Sequence, residues 1–120
     1  MKLPNGDRAI IDVAGKLLGY CLNREHRLGR YKARVFSSAL GITSDDPMGL
    51  VDALRDAAAG GDARIRKTND FGTEYEIQFI MTGPNGPFVI LSAWFVDNGT
   101  EISRFTNCYV SLEKSKELRS

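Results

Sequence analysis

Three features of this sequence predict an α+β fold, with N-terminal helices packed on one face of a four-stranded antiparallel meander sheet. Apolar residues recur at helical spacing through the first half of the chain, and from residue 63 the period drops to two. Two turn motifs, GPNG at 83–86 and NGTE at 98–101, then divide the alternating stretch into consecutive strands. Helices gathered ahead of strands belong to the α+β class rather than to an alternating α/β one.

Pro4, Asn5 and Gly6 mark an early turn. Asp12 is a good N-cap, because its short carboxylate reaches first-turn amides, for a helix carrying Leu17, Leu18, Cys21 and Leu22. A second helix is expected from near Gly29 to Gly41, burying Val35, Phe36, Ala39 and Leu40. In TSDDPMGLVDALRDAAAGG, capping acids and a first-turn proline precede Leu50, Val51 and Leu54 at helical spacing, and Gly60 and Gly61 end the helix.

The strands follow. ARIRKT opens at Ala63, and in TEYEIQFIMT the apolar Tyr75, Ile77, Phe79 and Met81 alternate with Glu74, Glu76 and Gln78. GPNG joins that strand to PFVILSAWFVD, and NGTE joins the latter to SRFTNCYVSL. Helices should cover one face of this sheet, and the open face is where function is expected. Residues 1–112 read as a single domain, and EKSKELRS, residues 113–120, as a frayed polar tail.

A chain of 120 residues suits one domain, burying roughly two-thirds of the surface its unfolded form exposes. With 42% apolar and 26% charged residues it is neither disordered nor membranous in composition. The apolar run near PFVILSAWFV is about half of the ~20 residues a membrane span requires, and the start lacks a signal-peptide pattern, so a cytoplasmic protein without a membrane partner is expected. Cys21 and Cys108 lie far apart, with no CxxC pair and no histidine at ligand spacing, which argues for buried free thiols and against a zinc site or disulfide framework. No metal or cofactor is implied. A net charge of +1 excludes a protein that coats nucleic acid nonspecifically, so any polyanion site is local.

That local site is legible in LNREHRLGRYKARVF, residues 22–36, which holds the only histidine, five of the sixteen basic residues and one acid. Arg24, Arg27, Arg30, Lys32 and Arg34 crowd together, opposed only by Glu25. Such a run is either a solvated face or the lining of an anion site. His26 precedes the second helix at a turn where Gly29 permits close backbone approach, so imidazole and first-turn amides could share one phosphate. A histidine titrates near neutrality and suits proton transfer; the alternative is a structural, hydrogen-bonded ring.

Taken together, LPN near the start, H-x-x-G-x-x-K-A-R-V-F at 26–36, SALG at 38–41, GPNG, Trp94 and T-x-x-Y at 106–109 resemble a family of uncharacterised bacterial domains. Members occur as short proteins and as tips of large secreted toxins. The order of elements is also similar to the ribonuclease superfamily of barnase, EndoU, colicin tRNases and RelE-type interferases. The resemblance implies a metal-independent endoribonuclease, acting on RNA such as tRNA by 2′-OH attack to leave cyclic-phosphate ends. It implies a cognate antitoxin or immunity protein as well. It maps catalysis onto His26 as base, Lys32 and Arg34 as phosphate stabilisers, Thr106 as donor and Tyr109 as positioning group or acid. RNA contacts fall to Arg24, Arg27, Arg30, Trp94 and Arg104. A non-catalytic RNA- or protein-binding module on the same fold is the alternative.

Three points qualify the mapping. Arg27 stands where relatives commonly carry proline. A regular strand points Thr106 and Tyr109 to opposite faces, so either a bulge re-aims one or only one belongs to the site. Trp94 either stacks a base or sits in the core, and Glu74 and Glu76 are either a carboxylate pair or a solvated face salt-bridged to Arg64 and Arg66.

Overall fold

The computed structural model describes residues 1–119. Helix α1, Val13–Cys21, begins where Asp12 Oδ1 accepts the Gly15 N–H at 2.9 Å, the cap read from sequence. It is wound in wide turns, as the 2.8 Å bond from Leu22 N–H to the Leu17 carbonyl illustrates. Helix α2 is α-helical over Arg30–Val35 and runs on in wide turns over Phe36–Leu40. Gly41 closes it at φ 69°, a left-handed conformation that glycine adopts without steric cost. Helix α3 spans Met48–Gly60 and buries Leu50, Val51 and Leu54.

Four strands, β1 (Ala63–Thr68), β2 (Gly72–Gly83), β3 (Gly86–Asp97) and β4 (Ser103–Ser111), form one antiparallel sheet in sequence order. The fold is α+β, a meander with helices ahead of it. Pairing of Gly83 with Gly86 leaves Pro84 and Asn85 as a two-residue turn, and Gly86 takes φ 101° there. Strand β4 is an edge, and Ile10 partly covers it by donating to the Ser103 carbonyl and accepting from the Phe105 N–H.

The N-terminal helices pack on one face. Leu17, Phe36, Leu50, Leu54, Ile77, Ile90 and Trp94 all have 0% exposure. The Trp94 ring meets Phe105 edge-on at 5.4 Å. Its indole N–H donates to Ser92 Oγ at 2.9 Å, and that hydroxyl donates to the Ile77 carbonyl at 2.8 Å, so the polar groups buried with the ring are satisfied.

One feature departs from the sequence expectation, and another decides between two alternatives that the sequence left open. The polar tail is not frayed over its described part: Leu112–Arg119 forms a fourth helix, α4, that returns against β3, while Ser120 lies outside the described residues. Ser115, 1% exposed, accepts the Val89 N–H at 2.9 Å and donates to the Ser111 carbonyl. Serine hydroxyls rather than an apolar stripe dock this helix, so hydrophobic periodicity did not reveal it. Strand β4 also carries one extra residue: Ala93 pairs with Asn107 and Trp94 with Phe105, leaving Thr106 as a bulge.

Candidate functional site

At the edge of β4, three elements converge on Lys32. From α2 its ammonium donates to Tyr20 Oη of α1 at 2.6 Å and to Asn107 Oδ1 of β4 at 3.0 Å. The same nitrogen lies 4.4 Å from the Tyr20 ring centroid and 6.0 Å from that of Tyr109. The bulge at Thr106 lies just before these residues: across it Phe105 and Cys108 both face the core, and Asn107 and Tyr109 flank Cys108. Close approach of the helices matters too: a Cβ at Gly29 would lie 2.1 Å from the Tyr20 carbonyl oxygen.

His26 sits beside this junction, its ring edge-on to Tyr20 at 4.9 Å. Its Nδ1 accepts the backbone N–H groups of Leu28 and Gly29, both at 3.0 Å. This corrects the expectation that imidazole and first-turn amides face one phosphate, because Nδ1 is committed to the turn that leads into α2. With Nδ1 an acceptor, the ring proton belongs on Nε2, which in this tautomer is a donor rather than a base. Gly29 likewise admits the Tyr20 carbonyl rather than an anion.

The cations divide into two groups. Lys32 points inward to the junction, whereas Arg34, two residues on, projects from another side of the helix, as side chains so spaced do. Arg34 is exposed, its guanidinium 6.0 Å from the Tyr31 ring. Arg30 stacks over the same ring at 4.9 Å and donates to Tyr31 Oη at 3.0 Å. Arg24 and Arg27 are exposed. Among the described residues, none of the five cations of residues 24–34 forms an ion pair.

Thr106, Asn107 and Tyr109 share the rim of a hollow of about 170 Å³ on the open face, with Arg66, Glu74 and Glu76 opposite. The parity problem is thus resolved by the bulge, which brings Thr106 and Tyr109 to one side. Thr106 Oγ1 donates to the Ala93 carbonyl at 3.1 Å. Arg66 pairs with Glu76 at 3.4 Å, as the salt-bridged reading of that face expected, while among the described residues Glu74 forms no ion pair. Tyr109 also borders an apolar groove with Tyr31, Lys32 and Val35, linking the open face to α2.

Trp94 is wholly buried and cannot meet a base, which corrects its assignment as an RNA contact. Its neighbour Phe95, pointing the other way as strand alternation requires, lines a hollow of about 440 Å³ with Arg104, Lys16, Glu74 and Thr106. Arg104 is held there by Asp97 at 2.8 Å. Residues missed in the sequence are therefore Tyr20, Asn107 and Phe95. Asn107 lay inside T-x-x-Y, where a bulge was one of two alternatives, but nothing local revealed Lys32 as its partner.

The two cysteines, 87 positions apart in sequence, hydrogen-bond one another beneath the junction, free and buried. The bond from Cys108 holds the Cys21 thiol below its ordinary range against the opposing effect of burial, with Lys32 and Lys16 assisting. Burial pushes the Cys108 thiol well up. Cys21 Sγ also lies 3.6 Å from Asn107 Oδ1. Among the described residues no group of three His, Cys, Asp or Glu side chains is arranged to hold a metal, and no helix is long and apolar enough to cross a membrane.

No curated protein and no solved structure matches the chain. Residues 2–112, from ahead of α1 to the first residue of α4, match one family model, and the chain belongs to that family, described as Domain of unknown function (DUF6883).

Proposed function

We propose that this domain binds RNA, taking the phosphate backbone on the surface of residues 24–34 and leading the strand across the open face of the sheet. The observation that carries this reading is the unpaired charge: among the described residues the five cations have no carboxylate partner, and four of them lie outside the Lys32 junction, in a chain whose net charge is only +1. Like charges held so close repel, and phosphates arriving in series relieve that cost while releasing counterions. Tyr31, 57% exposed between Arg30 and Arg34, adds an aromatic face of the kind single strands stack on. Fluorescence anisotropy with a labelled RNA tests it. Wild type should bind with strong salt dependence. Replacing Arg24, Arg27 and Arg30 by Gln should weaken binding and lower the log–log salt slope by about 2, at ~0.7 for each phosphate no longer neutralised. Salt-independent binding, or none, sinks the reading.

A second reading, metal-independent endoribonuclease, draws support from Glu74, a carboxylate without an ion pair among the described residues that shares its hollow with Thr106, Asn107 and Tyr109. In it Glu74, rather than His26, takes the 2′-OH proton, the oxygen attacks the adjacent phosphorus, and the 5′-oxygen leaves with a proton from Tyr109. Lys32 and Thr106 steady charge on the phosphoryl oxygens. The protein is then a cytoplasmic toxin, and a neutralising partner covers the basic segment. Incubation with total RNA in EDTA should yield cyclic-phosphate ends that Glu74→Gln abolishes. Retention of RNA without fragments leaves the binding reading standing alone.

A further inference from the structure

We infer that the hollow around Phe95 seats an unpaired nucleobase of the bound RNA, so that the substrate class is single-stranded; the inference rests on the RNA reading above. Glu74, Phe95 and Arg104 stand directly opposite one another on β2, β3 and β4, a carboxylate, an aromatic ring and a guanidinium in one row across the sheet. The row lies on the face opposite Trp94 and the core. The Phe95 ring is seated against Gly72, where a Cβ would come within 2.7 Å of Cζ, and it is only half-buried. Glycine at 72 therefore lets the ring lie close to the strand. Asp97 fixes Arg104 at 2.8 Å.

The charges around this hollow select among ligands. Lys16 and Arg104 border it on the positive side, Asp12 and Glu74 on the negative. A bare phosphate meets two carboxylates as well as two cations and gains little. An apolar ligand offers no donor or acceptor to the four charges around it. A nucleobase satisfies both demands, since its face stacks on the ring and its edge carries donors and acceptors together. Bases within a duplex keep their faces covered, whereas those of a single strand are free to enter. Glu74 and Thr106 also border the hollow of Asn107 and Tyr109, so the base seat adjoins the place where the backbone would pass.

The test compares wild type, Phe95→Leu and Phe95→Trp on a single-stranded RNA carrying 2-aminopurine and on its duplex. Wild type should prefer the single strand and quench the fluorescent base on stacking. Phe95→Leu, which keeps apolar cover over Gly72 but lacks a π face, should lose about tenfold in single-strand affinity and the quenching, with duplex binding unchanged. Phe95→Trp should retain both. Thermal melts confirm that each variant folds, and the quenching in wild type reads the stack without any variant. Equal single-strand affinity of wild type and Phe95→Leu, absence of quenching, or a preference for duplex overturns the base seat while leaving RNA binding intact. Failure of wild type to retain any RNA overturns both readings.

Discussion

Lys32 Nζ and Asn107 Oδ1 meet at 3.0 Å across 75 positions of sequence, and the same ammonium reaches Tyr20 Oη at 2.6 Å. One cation thus ties α1, α2 and β4 together at the sheet edge, where the basic segment meets the open face. A charged hydrogen bond of this kind contributes about 1.5–3 kcal/mol when its partners are removed from water, and less when water can replace it.

Lys32→Met should therefore lower stability by about 1–2 kcal/mol, leaving Tyr20 and Asn107 with only solvent to satisfy them. Asn107→Leu should cost a similar amount, and the double variant should cost less than the sum, because the interaction is removed only once. Urea denaturation of the four proteins measures this. Strict additivity would show that the Lys32–Asn107 bond contributes nothing.

His26→Ala is expected to be a stability variant first. It removes the acceptor of two backbone amides, Leu28 N–H and Gly29 N–H, and with it the cap ahead of α2. Losses at caps run about 0.5–2 kcal/mol, and Asn, whose side-chain oxygen can accept from nearby amides, should restore part of it. Chemical denaturation of His26→Ala and His26→Asn checks this. Unchanged stability of the alanine variant would show that the ring is free for another role.

The contrast between what the sequence revealed and what it concealed follows from the range of the forces involved. Asp12, Gly41 and GPNG act within a few residues, so their cap, helix end and turn were legible. Alternation in β2 and β3 fixed the strands, and Trp94 followed that alternation into the core. Left open or misread were the features set by tertiary context. The bulge at Thr106 was one of two alternatives that the spacing of Thr106 and Tyr109 left open, whereas the meeting of Asn107 with Lys32, 75 positions away, had no local signal. His26 looked like a base in an electropositive stretch, but which nitrogen accepts depends on two amides whose geometry is fixed only on folding. Helix α4 hangs on Ser115, a residue without hydropathic signal.

Trp94→Ala should destabilise the fold by about 3–5 kcal/mol, the usual cost of removing a buried large aromatic. It also strips Ser92 Oγ of its indole donor. Phe95→Leu, on the opposite face and half-buried, should cost under about 1.5 kcal/mol, the range of volume-conserving apolar changes. Equilibrium unfolding of the pair distinguishes core from surface, and equal costs would place both rings in the core.

The thiols predict opposite pH dependences. Cys21 sits below the ordinary thiol value of 9.0, so between its folded value and 9.0 the unfolded chain holds more protons there than the native one, and stability rises with pH. Cys108 sits above 9.0, so beyond that pH the native protein holds the extra proton and stability falls, by up to about 1.4 kcal/mol per pH unit for one proton. Cys21→Ala should remove the rising component below pH 9.0. Cys108→Ala should remove the falling component above it, and should also relax Cys21 upward, since the bond that lowers it is gone. Urea unfolding free energies of wild type and the two variants from pH 7 to pH 10 measure these components by difference, which cancels the tyrosines and lysines common to all three. A difference between wild type and Cys108→Ala that stays constant above pH 9.0 would mean that the Cys108 thiol ionises alike in the native and unfolded chains.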